Sequence, residues 1–66
     1  MIVRGYVRRL DKAGSARLNA GRDGGGEVTF DGPADGAAVP WLLAAFVDER
    51  EILCDIEHGV LVRVRP

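Results

Sequence analysis

Sixty-six residues, a net charge of −1 and a single cysteine allow one small domain and exclude an internal disulfide. A chain this short buries only about 60% of the surface its unfolded form exposes, so its core is thin and a partner or second copy is the expected further source of stability. One His and one Cys fall short of the four ligands of a structural zinc site, and the apolar run Ala37 to Val47 is shorter than the ~20 residues of a membrane span.

The start Met1-Ile2-Val3-Arg4 is not the apolar run of a signal peptide, and a lone thiol suits a reducing compartment. The expectation is a soluble, cytoplasmic protein.

Residues 2–10 read as a first strand with Val3, Gly5 and Val7 inward and Arg4, Tyr6 and Arg8 outward. The opposite phase would bury two guanidinium groups, although Ile2, Tyr6 and Leu10 share the parity of the arginines. Gly5 inside a strand marks a bulge, a bend or the close approach of another backbone. Asp11-Lys12-Ala13-Gly14 is a turn, with Gly14 free to take a positive φ.

A second strand over Ser15 to Ala20 points Ala16, Leu18 and Ala20 inward and Arg17 and Asn19 outward. Gly21 to Gly26 is a loop, and a third strand, Glu27 to Asp31, offers Val28 and Phe30 to the core. Asp31 to Gly36 is rich in turn residues. A helix of about eleven residues, roughly 16 Å long, begins at Pro40, where a missing N–H costs nothing. Val39 is a poor cap, which leaves Asp35 as the capping group. Ahead of Asp48, Glu49, Arg50 and Glu51 this helix is apolar nearly all round, the mark of burial on more than one side.

The last two strands form a hairpin. A two-residue His58-Gly59 turn would pair Ile56 with Leu61 and Cys54 with Arg63, and so split the apolar sets between faces. A three-residue Glu57-His58-Gly59 loop pairs Ile56 with Val60, Cys54 with Val62 and Ile52 with Val64, with Glu51 opposite Arg65, and is the expected form.

The elements thus run strand, strand, strand, helix, strand, strand: mainly β with one helix. This order and length resemble the OB fold, a small five-stranded barrel plugged by a helix between strands three and four. The aromatic-rich RNA-binding strand of cold-shock domains has no counterpart here. An SH3-like barrel and an open sheet crossed by one helix are the competing architectures.

Charge divides along the chain. Residues 1–22 hold six bases and one acid, a net of +5, whereas residues 23–57 hold nine acids and only Arg50, a net of −8. The two halves either neutralise one another in the fold or between subunits, or present a polar partner surface. Arg4, Tyr6, Arg8, Lys12 and Arg17 make up the candidate basic face, suited to single-stranded nucleic acid through stacking and phosphate contacts. A single Tyr and a pI near 5.7 count against that use.

Gly21 to Gly26 lacks P-loop spacing and its Lys-Ser/Thr. His58 beside Asp55 and Glu57 has no accompanying nucleophile or second ligand, and Cys54 falls on an inward position. No enzyme activity, cofactor or small-molecule substrate is expected. The leading expectation is a protein-binding or self-assembling module that uses Trp41, Leu42, Leu43, Phe46 and Val47 of the helix, with Trp41 as anchor. Nucleic-acid binding through the basic face is the alternative.

Overall fold

The computed structural model describes all 66 residues. Its elements are β1 (Ile2–Leu10), β2 (Ser15–Asn19), β3 (Val28–Pro33), a 3-10 turn (Gly36–Ala38), α1 (Val39–Asp48), β4 (Ile52–Glu57) and β5 (Val60–Arg65). The order is the expected one. The five strands form one antiparallel sheet in the order β3-β2-β1-β4-β5.

The expected barrel closure is not present. Between the outer strands there is a single parallel bridge, Ala34 to Leu61, with Asp35 N–H donating to the Leu61 carbonyl at 2.8 Å. No helix is long and apolar enough to cross a membrane.

β1 is the spine. Residues 2–5 pair with β4 and residues 6–10 with β2, so the strand passes from one neighbour to the other at Gly5. A Cβ at Gly5 would stand 2.7 Å from Thr29 Oγ1 and 2.8 Å from the Asn19 carbonyl oxygen. Close approach of another backbone is therefore why this strand interior carries a glycine.

Three bulges correct the simple period-two reading, since each inserts one residue and reverses the faces beyond it. In β1, Val7 opposes Leu18 and Arg9 opposes Arg17, which makes Arg8 the extra residue and turns Leu10 toward the core. In β3, Leu18 opposes Phe30 and Asn19 opposes Val28, so Thr29 is extra and Val28 is half exposed instead of buried. β2 ends at Asn19, with Ala20 exposed.

Asn19, expected outward in water, is buried under the glycine loop and donates from Nδ2 to the Gly24 carbonyl at 3.3 Å.

The third bulge lies in the last hairpin. Glu57 opposes Val60 around a two-residue turn, with φ of 53° at His58 and 77° at Gly59. This replaces the expected three-residue loop and is the primed turn whose twist suits a hairpin. Ile56 opposes Leu61 and Asp55 opposes Arg63, so Val62 is the extra residue. The bulge lets Leu61 and Val64 both reach the core despite their opposite parity, and Cys54 faces Val64. Arg65 lies opposite Leu53 instead of Glu51.

α1 starts one residue ahead of Pro40 and covers ten residues. Asp35 Oδ1 accepts from Ala37 N at 2.9 Å, so it caps the preceding 3-10 turn; α1 itself has no side-chain cap. The helix ends in a Schellman arrangement, with Arg50 N–H donating to the Ala45 carbonyl at 3.1 Å and Glu49 N–H to the Phe46 carbonyl at 3.3 Å.

Val7, Ala16 and Leu18 from one wing of the sheet, and Ile52, Cys54, Ile56 and Leu61 from the other, bury their side chains against Ala38, Leu42 and Ala45. The helix thereby covers the concave side of the strongly bent sheet. Phe30, expected in the core, packs on its margin and is partly buried.

Candidate functional site

About 100° of rotation per residue sorts the apolar positions of α1 into distinct faces. Leu42 and Ala45, with Ala38 of the preceding 3-10 turn, pack on the sheet and are at most 2% exposed. Leu42, grouped from the sequence with the partner-binding residues, is thus part of the protein's own core.

The other four lie in solvent: Trp41 is 62% exposed, Leu43 51%, Phe46 46% and Val47 70%. Leu43, Phe46 and Val47 occupy one continuous side of the helix, whereas Trp41 stands on the opposite flank, toward β5. Four large apolar side chains on ten residues are more than scattered surface hydrophobics, and three of them, Leu43, Phe46 and Val47, adjoin one another.

The candidate basic residues do not form one platform. Arg17 donates to Asp31 Oδ2 from Nε at 3.3 Å and from Nη2 at 3.0 Å, and Arg9 joins the same carboxylate at 3.5 Å. That cluster satisfies part of the charge asymmetry within the sheet. Lys12 is exposed at the tip of the first turn, where Asp11 Oδ1 accepts from the Ala13 and Ser15 N–H groups, both at 3.0 Å. Arg4, before the bend at Gly5, faces a separate depression that Arg50, Leu53 and Arg65 also line.

Only Tyr6 and Arg8 of the five come together. They line an open cleft of about 390 Å³ with Arg22 on the same side and, on the other, Phe46 and Val47 of α1 and Glu49 just beyond its end. Neither Arg8 nor Arg22 takes part in an ion pair. Arg8 rests on the glycine loop, its Nη2 only 2.6 Å from where a Cβ of Gly24 would stand. Gly24, at φ 91°, provides both the positive dihedral and the room.

Asp55, read from the sequence only as an acid beside His58, is buried. It sits on the sheet face away from the core, 7% exposed, beneath two arginines of β5. Arg65 donates to Oδ1 from Nη2 at 2.8 Å, and Arg63 donates to Oδ2 from Nε at 2.9 Å. These hydrogen bonds, Arg65's foremost, lower the Asp55 pKa to about 2 against the cost of its burial, and the same contact raises that of Arg65.

The neighbouring Cys54 faces the core. Burial first, and the Asp55 charge second, push its thiol up to about 11, which makes it a small packing residue in place of a nucleophile. Nothing short of the Asp55 to Arg63 register signals the carboxylate's role in the sequence.

No group of three or more His, Cys, Asp or Glu side chains gathers into a metal-ligating cluster. No family model, curated protein or solved structure matches this chain. The surface chemistry described above therefore carries the functional reading by itself.

Proposed function

We propose that this protein is a non-catalytic binding module on an OB-like scaffold, and that it works by docking the outer side of α1 against another protein surface, a second copy included. The observation that carries this reading is the exposed row Leu43, Phe46 and Val47 on a helix whose opposite side already fills the core. Removing such a row from water is worth about 25 cal/mol per Å² of apolar area, and Phe46 is the central aromatic anchor.

Sedimentation of the purified protein across micromolar concentrations, alone and with Phe46→Glu, tests the self-associating form. Concentration-dependent mass that Phe46→Glu abolishes supports it. A monomer throughout leaves only a foreign partner, and an association indifferent to Phe46→Glu refutes this surface.

A second reading is favoured by one observation, the meeting of Tyr6, Arg8 and Arg22 with Phe46 in a single cleft. A base stacked on the aromatic side chains, with phosphates on the unpaired guanidinium groups, is the corresponding contact for single-stranded nucleic acid. Salt-sensitive anisotropy of a labelled oligonucleotide, lost in Tyr6→Ala with Arg8→Ala, tests it. No binding at low salt ends it.

A further inference from the structure

Most arginines of this fold are held by a carboxylate of their own chain. Arg9 and Arg17 share Asp31, Arg63 and Arg65 share Asp55, and Arg50 pairs with Asp48. Arg4 is unpaired and faces a separate depression. Arg8 and Arg22, together on the sheet side of the cleft beside α1, are the arginine pair without a carboxylate.

Glu49 has the converse lack. It lines the opposite wall of the same cleft, is exposed, and forms no ion pair with either arginine. It also closes α1 at φ 53° and ψ 45°, a left-handed position that glycine fills at less cost. A carboxylate held where glycine is cheaper, and idle within its own chain, points to a use outside that chain.

A two-fold interface sets one patch against its own copy, so each patch must complement itself. The surface around Leu43, Phe46 and Val47 meets this condition. It has an apolar centre, two unpaired guanidinium groups on one side and an unpaired carboxylate at the end of the helix. A foreign partner would have to bring both signs in the matching arrangement, whereas a second copy brings them by symmetry. The net charge of −1 sets little long-range repulsion between copies.

Resting on the α1 docking reading, we infer that the occupant of this surface is a second copy of the chain. The two helices cross about Phe46, and Glu49 of each copy enters the other's cleft to pair with Arg8 and Arg22. One carboxylate then serves two guanidinium groups, as Asp31 and Asp55 already do.

Sedimentation at low salt across micromolar concentrations tests this with two variants, Arg8→Glu with Arg22→Glu, and Glu49→Arg. Each alone sets like charges across the interface and should weaken self-association at least tenfold. Mixed in equal amounts they should associate again, since each cleft then meets a side chain of the opposite sign. Glu49→Gly should also weaken association, yet raise the melting temperature of the dilute monomer by relieving the left-handed backbone.

A protein monomeric at every concentration overturns the inference and returns the surface to a foreign partner. Association that Phe46→Glu abolishes but both charge variants leave intact overturns it while the α1 reading stands. Charge variants that weaken association but do not recover on mixing overturn the reciprocal pairing. Loss of association in Glu49→Gly together with a lower melting temperature assigns Glu49 a role in the fold and likewise overturns it.

Discussion

Leu42 and Leu43 are adjacent leucines on one helix with opposite surroundings, and truncating each in turn tests the orientation of α1. Leu42 is fully buried and Leu43 is 51% exposed. Leu42→Ala removes apolar contact and leaves a cavity, at a cost of about 3 kcal/mol within the usual range of roughly 2–5. A domain of 66 residues holds about 3–10 kcal/mol in total, so much of the stability goes with that one side chain.

At about 2.1 cal/mol/K of unfolding entropy per residue, the midpoint falls by roughly 20 °C. Leu43→Ala costs under about 1 kcal/mol in the dilute monomer. The assay is thermal and urea unfolding by circular dichroism at two protein concentrations. If α1 docks on a second copy, the Leu43→Ala deficit grows with concentration, because association stabilises only the folded state. Equal losses for the two variants in dilute solution, or a Leu42→Ala loss below about 1 kcal/mol, would refute the helix orientation.

Three further outcomes follow from the bulges and the Asp55 cluster. Gly5→Ala forces a methyl against Thr29 and the Asn19 carbonyl, so urea unfolding should show a loss of about 1–3 kcal/mol; Thr29→Ala should not restore it, because the backbone oxygen remains. Asp55 has a folded pKa of about 2, below its usual 3.8, so its contribution is present above pH 3.8 and is lost as pH falls through 2. The gap in urea midpoint between the protein and Asp55→Asn should therefore hold steady at neutral pH and close in that acidic window; a gap unchanged down to pH 2 contradicts the paired carboxylate. His58→Asn places a residue tolerant of positive φ in the His58-Gly59 turn and should raise stability by about 0.5 kcal/mol, whereas no gain, or a loss, would speak for a longer loop.

Much of the architecture was legible in the sequence for local reasons. Gly14 and Gly59 mark turns because few other residues adopt their dihedrals at so little cost, and Pro40 marks the first turn of α1 because it lacks the N–H that the turn leaves unpaired. Alternation placed Val7, Ala16, Leu18, Ile52 and Cys54 correctly inside. The candidate surface was legible in part. An all-round apolar helix in a 66-residue chain announces exposure, but it has no phase of its own, so Leu42 could not be told from Leu43 until the sheet took one side.

By itself, then, the chain determined the order of its elements, the positions of its turns and the excess of apolar surface on α1. The tertiary structure alone decided the three bulges, because each arises from the coiling of one strand against its neighbour and reverses every face beyond it. It also decided that Asp55 lies under Arg63 and Arg65, that Arg17 is taken by Asp31, and that Tyr6 and Arg8 meet Phe46. These are meetings between distant segments. Residue type and spacing constrain a local conformation, whereas which side chains face one another across a bent sheet depends on register, and register is set by the whole core at once.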